Sequence, residues 1–112
     1  MKKTSPYNFN SDDILKNIVE QVVKISSPDK IILFGSRAKG TNRADSDYDI
    51  CVLKSRLKKR RKLAQKIYLN LDVLASVDVI VNTPARYKEI KDSPFLIYHE
   101  IEKNGEVIYE KK

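Results

Sequence analysis

Short apolar runs bounded by turn-forming residues are the clearest pattern along this chain. β-Branched residues are frequent in these runs, and each run is shorter than a typical helix, so the pattern predicts buried strands. The predicted strands are Ile31 to Phe34, Tyr48 to Leu53, Val77 to Val81 and, as a final edge strand, Val107 to Tyr109.

Between the strands, apolar residues recur three and four positions apart, which predicts amphipathic helices. Asp12 and Asp13 indicate the acidic first turn of the first helix. The first predicted helix runs from an N-cap at Ser11 to about Ser26, the second from Ser55 to about Leu71, and a short third helix starts at Pro84. The fourth starts at Pro94 and ends at Asn104-Gly105, and it has Phe95, Tyr98 and Ile101 on one side.

The order of these elements predicts an α/β (α+β) fold. Mixed strands and helices in this order pack as a small mixed β-sheet with helices mainly on one face. A chain of 112 residues is long enough for one hydrophobic core and too short for two. We therefore expect a single domain over residues 11–112, preceded by a mobile polar segment over residues 1–10.

A Gly-Ser pair follows the first predicted strand directly. Gly35 lets the backbone turn sharply and approach a ligand closely, and Ser36 is a good N-cap for a short helix through Arg37, Ala38 and Lys39. Backbone N–H groups at a helix start point at anions, and the serine hydroxyl adds another donor. The turn therefore predicts a phosphate-binding site.

Three carboxylates follow in the next two predicted strands. Asp47 and Asp49 project on one face, because side chains alternate along a strand. Two such charges repel unless a cation lies between them, and Mg²⁺ prefers oxygen ligands of this kind. Asp78 lies in an otherwise apolar strand, where a charged side chain needs a partner or a metal. The three acids are suited to hold two Mg²⁺ ions about 3.5–4 Å apart, as in phosphoryl transfer.

Together these motifs resemble the nucleotidyltransferase superfamily of polymerase-β type, and specifically its minimal nucleotidyltransferase (MNT) branch. The segment GSRAKG at 35–40 resembles the phosphate-binding turn of that family, and SDYDI at 46–50 resembles its metal motif. The resemblance implies a polymerase-β-like core. It also implies nucleotide binding by Gly35, Ser36 and Arg37, and catalysis and metal binding by Asp47, Asp49 and Asp78.

The resemblance further implies an Mg²⁺-dependent transfer of AMP from ATP to a hydroxyl group. A carboxylate can accept the proton of the attacking hydroxyl, and we assign this role to Asp78. In the MNT family the implied acceptor is a tyrosine of a partner, a helical HEPN-type ribonuclease toxin, which the transfer neutralises. Two alternatives stay open: transfer to a small hydroxyl compound such as an antibiotic, and an inactive module that blocks its partner by contact alone.

Positive charge is concentrated in one part of the chain, whose formal net charge is +7. The segment 54–66 could be a solvated helix face, or a surface for an acidic partner or a nucleic acid. No aromatic residue lies among its cations, so base stacking on a single strand is not indicated. The cations are Lys54, Arg56, Lys58, Lys59, Arg60, Arg61, Lys62 and Lys66, without one acid between them.

The remaining candidate groups predict little further chemistry. Cys51 is the single cysteine and lies in an apolar strand, which favours a buried structural thiol. His99 is predicted to be a partly buried or surface residue and not a catalytic base. No apolar run approaches the ~20 residues of a membrane helix, and the N-terminus has no apolar region of the kind that follows the basic residues of a signal peptide. We therefore expect a cytoplasmic protein.

Overall fold

A computed structural model describes residues 2–3 and 12–112. Five strands form one mixed sheet: β1 (Lys2–Lys3), β2 (Lys30–Phe34), β3 (Tyr48–Leu53), β4 (Val77–Asn82) and β5 (Glu106–Glu110). Their order across the sheet is β1-β5-β2-β3-β4. β2 pairs antiparallel with both β3 and β5, whereas β3 and β4, like β1 and β5, are parallel. The predicted mixed sheet is thus confirmed.

Five helices connect these strands: α1 (Asp13–Ser26), α2 (Ser36–Lys39), α3 (Arg60–Asn70), α4 (Pro84–Ile90) and α5 (Ile97–Asn104). The predicted N-cap of α1 was wrong by one residue, because the Asp12 carboxylate accepts the N–H of Leu15 at 2.9 Å. The predicted start of α5 was also wrong. Phe95 lies before the helix and is 93% exposed, so it does not share the buried side of Tyr98 and Ile101.

The start of α3 differs most from the sequence prediction. Ser55 was expected to open the helix, but its N–H and its hydroxyl both donate to the Asp29 carboxylate at 2.6 Å. Arg56 then adopts a left-handed conformation with φ of 60°, which no helix can include. The helix therefore begins at Arg60, and the first part of the basic segment is a turn.

Both faces of the sheet are covered by helices. The longer helices α1 and α3 pack on one face, as the sequence predicted, and bury Ile18, Val22 and Ile67 against strand residues such as Ile50. The short helices α4 and α5 cover part of the opposite face. That smaller core contains Ile32, Phe34, Cys51, Leu53, Tyr87, Tyr98, Ile101 and Val107.

The edges of the sheet differ from the prediction. β5 was expected at an edge, but Lys2–Lys3 pair beside it, and β4 forms the opposite edge of the described sheet. Most of the predicted mobile segment 1–10 lies outside the described residues, which include only the backbone of Lys2–Lys3 from it. No helix in the described ranges is both long and apolar enough to cross a membrane.

Candidate active site

Three neighbouring strands bring the predicted site residues together at one end of the sheet. Asp49 on β3 is directly opposite Phe34, the last residue of β2. On its other side Asp49 is in register with Asp78 on β4. Gly35 follows Phe34, so the Gly-Ser turn and two of the three carboxylates meet here.

Gly35 is the residue that allows this close approach. Its φ is +75°, a conformation that L side chains rarely adopt. A Cβ built there would overlap the Oδ2 atom of Asp49 and stand 3.1 Å from its Cγ atom. The turn therefore lies directly against the Asp49 carboxylate. Gly35 is also the N-cap of α2, so the prediction that Ser36 takes this position was wrong, and Ser36 is the first helical residue.

The turn leaves hydrogen-bond donors open. The N–H groups of Ala38 and Lys39 donate to the carbonyl of Gly35 at 3.2 Å, which closes the short helix. Within the described part of the chain, the N–H groups of Ser36 and Arg37 and the Ser36 hydroxyl have no acceptor. Three donors next to a glycine turn are suited to an anionic oxygen.

The carboxyl group of Asp49 has an unusual environment. Partial burial, a hydrogen bond shared with the Asp78 carboxyl, and the negative charges of Asp78 and Asp47 raise the pKa of Asp49 from 3.8 to about 6. Asp78 is exposed, because β4 is an edge strand, so the expectation of a buried charge at this position was wrong. A cation between Asp49 and Asp78 would relieve the repulsion.

The fit of the three acids to a metal is partial. Among residues 12–112, no three acidic, histidine or cysteine side chains lie close enough together to hold an ion. Asp47 is exposed and acts on Asp49 through its charge, whereas Asp78 shares a hydrogen bond with it. Because Mg²⁺ is usually held by one or two carboxylates together with substrate phosphates, the pair Asp49 and Asp78 fits such an ion.

Arg37 lies next to the turn, but its side chain binds the loop before β3. Its Nε atom donates to the Ser46 carbonyl at 3.1 Å, and Nη2 donates to the same oxygen at 2.9 Å. Nη2 also donates to the Ala44 carbonyl at 3.2 Å. The expectation that Arg37 binds the nucleotide remains a prediction. Its Nε and Nη2 donors already bind loop carbonyls and would have to leave them to bind a phosphate.

Two site residues were missed by the sequence interpretation. The Tyr48 ring lies under the Arg37 guanidinium, whose carbon is 3.9 Å from the ring centroid. The Tyr48 hydroxyl donates to the Asp12 carboxylate at 3.0 Å, and burial raises the pKa of Tyr48. Tyr48 lies on the face of β3 opposite Asp49, as side-chain alternation along a strand predicts, and this face packs against α1. No sequence signal connects it to Asp12, 36 residues earlier.

The lone cysteine and histidine lie on α5's side of the molecule. Cys51 is fully buried, as predicted, and burial raises the pKa of its thiol to about 12. His99 is half-buried on α5. The neighbouring Glu100 pairs with Lys39 at 2.7 Å, which ties the first turn of α5 to the end of α2.

Solved structures similar to this chain include toxin–antitoxin complexes. One, a toxin–antitoxin solved with AMP-PNP, is 24% identical with a TM-score of 0.56 and covers 87% of this chain and 74% of its own. Another, a mutant of the toxin–antitoxin MntA-HpeT, is 25% identical with a TM-score of 0.52 and covers 87% of this chain and 73% of its own. A comparison with curated proteins gives no match.

A family model described as "Polymerase beta, Nucleotidyltransferase" matches residues 15–112. This range contains the Gly-Ser turn, the three acids and every described strand except the short β1. It spans most of the chain, and the fold agrees with that of the similar solved structures. The resemblance seen in the motifs is therefore confirmed at the level of the fold, and the chain belongs to the polymerase-β-type nucleotidyltransferase family.

Proposed function

We propose that the chain transfers AMP from ATP to a hydroxyl group of a protein partner and acts as the antitoxin of a helical HEPN-type toxin. One observation carries the proposal: a glycine turn with open donors lies against Asp49, which is in register with Asp78. This arrangement supplies an anion-binding surface beside a carboxylate pair. Those are the two groups that transfer of a nucleotidyl group requires.

Each residue has a distinct role in the proposed reaction. The acceptor oxygen forms a bond to the α-phosphorus of ATP, the bond from that phosphorus to the pyrophosphate oxygen breaks, and pyrophosphate leaves. The N–H groups and hydroxyl at Ser36 bind the triphosphate, which Gly35 lets approach. Asp78 accepts the hydroxyl proton, because it is exposed at the sheet edge.

Mg²⁺ belongs to the same proposal. Asp49 and Asp78 would hold it together with the phosphates, and the exposed Asp47 would add negative charge nearby. When bound, the ion supplies positive charge that stabilises the phosphoryl oxygens. The raised pKa of Asp49 supports this assignment, since its causes are burial and neighbouring acids, whose effect a bound cation would offset.

The partner is inferred from a structural neighbour. The MntA-HpeT mutant, which is 25% identical to this chain, is a toxin–antitoxin. We extend that assembly to this chain and propose, by the family resemblance, that the acceptor is a tyrosine of the toxin. A cytoplasmic location is part of the same proposal.

The test is to purify the untagged chain from its own cells and to measure the intact mass of any protein that comes with it. We expect a partner heavier by one or more AMP units, and transfer of label from labelled ATP to the unmodified partner in vitro. Asp49→Asn should abolish the transfer, whereas Asp92→Asn, which removes an exposed acid elsewhere, should not.

Two outcomes would contradict the proposal. A partner that co-purifies unmodified and is inhibited equally by the wild type and by Asp49→Asn would indicate a module that acts by contact alone. Label found on a small hydroxyl compound, with none on protein, would indicate a small-molecule transferase.

A further inference from the structure

The side chain of Arg37 connects the phosphate turn to the loop that carries the first acid. Arg37 directly follows Ser36, and Ser46, whose carbonyl accepts two of its hydrogen bonds, directly precedes Asp47. A third bond reaches the Ala44 carbonyl. One side chain thus joins the backbone that presents the open donors to the backbone that presents the carboxylates.

The loop over residues 42–46 has few other ties to the molecule. The N–H of Arg43 donates to the Ser46 hydroxyl at 2.8 Å, and the N–H of Ser46 donates to the Arg43 carbonyl at 3.2 Å, so both bonds stay within the loop. Among the described residues, Arg37 supplies the side-chain hydrogen bonds that reach this loop from outside it. The position of the loop relative to α2 therefore depends on Arg37.

The guanidinium is itself held in place. It stacks at 3.9 Å on the ring of Tyr48, which is 3% exposed. The Tyr48 hydroxyl binds both carboxylate oxygens of Asp12, at 3.0 and 3.1 Å. Asp12 in turn caps α1. Arg37 is therefore linked through Tyr48 and Asp12 to the start of α1.

These contacts leave Arg37 poorly available to a phosphate group. An arginine that binds phosphate uses two parallel N–H groups of its fork. Here Nε and Nη2 are bound to loop carbonyls, and one planar face is covered by the ring. A lysine could supply the charge at this position but not the fork or the stacked plane.

We propose that Arg37 is a positioning residue that holds the loop over residues 42–46, and hence Asp47 and the start of β3, at a fixed distance from the phosphate turn. In this role it does not bind the triphosphate itself. The proposal rests on the proposed function for the meaning of the acids, but its structural part can be tested without nucleotide or partner.

The experiment compares Arg37→Lys with Arg43→Lys, which makes the same exchange at an exposed residue of the same loop. Hydrogen exchange of the amides of residues 43–48 is measured on the free proteins. Binding of Mn²⁺, by electron paramagnetic resonance, is measured with and without a non-hydrolysable ATP analogue. Binding of the same analogue in EDTA is measured by titration calorimetry.

We expect Arg37→Lys to speed exchange of the loop amides about tenfold and to weaken Mn²⁺ binding by a similar factor. Binding of the metal-free analogue should change less than about twofold, and Arg43→Lys should resemble the wild type throughout. If Arg37→Lys does not fold, Arg37→Gln, which also removes the guanidinium fork and the charge stacked on Tyr48, should show the same pattern.

Three results would overturn the proposal. Unchanged loop exchange would show that Arg37 does not hold the loop, whatever binds. Faster exchange with unchanged Mn²⁺ binding would show that the loop does not position the acids. A tenfold loss of metal-free analogue binding would make Arg37 a phosphate ligand. If no variant, including the wild type, binds nucleotide, the proposed function fails, while hydrogen exchange and Mn²⁺ binding without nucleotide still decide the role of Arg37.

Discussion

Asp49 is a residue at which the proposed chemistry and the folding stability make opposite demands. Its carboxyl lies against Gly35 and beside Asp78, so its negative charge is repelled and partly desolvated. The pKa of about 6 is above the ordinary 3.8. The folded state therefore binds the proton more tightly than the unfolded state. Folding is favoured by this group below pH 3.8, and the contribution is lost as the pH rises through about 6.

Asp49→Asn should consequently stabilise the protein above pH 6, because it removes the repelled charge. The gain should be less than about 1 kcal/mol, since the site is open to water that screens the repulsion. It should shrink as the pH falls from about 6 to 3.8 and vanish below that. Urea unfolding across this pH range measures the effect, with Asp92→Asn as the control. A mutant that is less stable than the wild type at pH 7 would contradict this account of the pKa.

Ser36 offers a separate test of the phosphate turn. Ser36→Ala removes the open hydroxyl but keeps the N–H groups at the start of α2. Affinity for a non-hydrolysable ATP analogue with Mg²⁺ should fall by about 1–2 kcal/mol, because one hydrogen bond to a charged group is lost. Calorimetry gives the affinity, and Ser93→Ala, in the connection between α4 and α5, is the control. Equal affinity in both variants would mean that the turn only connects β2 to α2.

At the scale of elements, the local sequence pattern was enough to predict the strands but not the residues at which the helices begin. β2, β3 and β4 were predicted within one residue, because short β-branched runs have few alternatives. The start of α3 was missed because Asp29, 26 residues before Ser55, binds that residue in a turn. A contact between distant residues leaves no trace in local periodicity.

The same reason explains which site residues could be predicted. The Gly-Ser turn and Asp49 follow from the order of strands, and the register of β3 with β4 brings Asp78 to Asp49. The exposure of Asp78 could not be predicted, because it depends on β4 being at the sheet edge. Nor could the contacts of Arg37, since the sequence does not show where a long side chain ends.

The N-terminus of α3 is unfavourable for a helix. Lys59 is the N-cap residue without a side-chain hydrogen bond, and the first turn contains no acid. The cations Arg60, Arg61 and Lys62 face the positive end of the helix dipole, where acidic groups are preferred.

Replacing Lys59 by Asp should therefore stabilise the protein. An aspartate at this position accepts free N–H groups and complements the dipole, so we expect a gain of about 1 kcal/mol in the free energy of unfolding. Lys58→Asp makes the same charge change one residue before the cap and should gain clearly less. Urea unfolding of the three proteins measures this. Equal gains in both variants would attribute the effect to net charge and not to capping.

For the whole molecule, the positive charge of the basic segment 54–66 lies away from the candidate active site. β3 begins next to the carboxylates and ends at Leu53, so the basic segment starts at the far end of the sheet. The residues from Arg56 to Lys62, except Leu57, are exposed, and in the described part of the chain none of these cations forms a salt bridge. An uncompensated basic surface attracts an acidic partner over about a Debye length, ~10 Å at 0.1 M salt.

A double charge reversal, Arg61→Glu with Lys62→Glu, tests whether this surface guides the proposed partner. If it does, the double reversal should slow association about tenfold at low salt and flatten its salt dependence, because steering is lost. Affinity for ATP should stay unchanged, since the carboxylates lie at the other end of β3.

The matched control reverses Lys88 and Lys103, which are exposed on α4 and α5 and give the same net charge. Partner modification is measured at low and high salt for all three proteins. Equal slowing by both double reversals would mean that only net charge matters. No slowing by either would mean that the basic segment is a solvated face, and that the partner docks elsewhere.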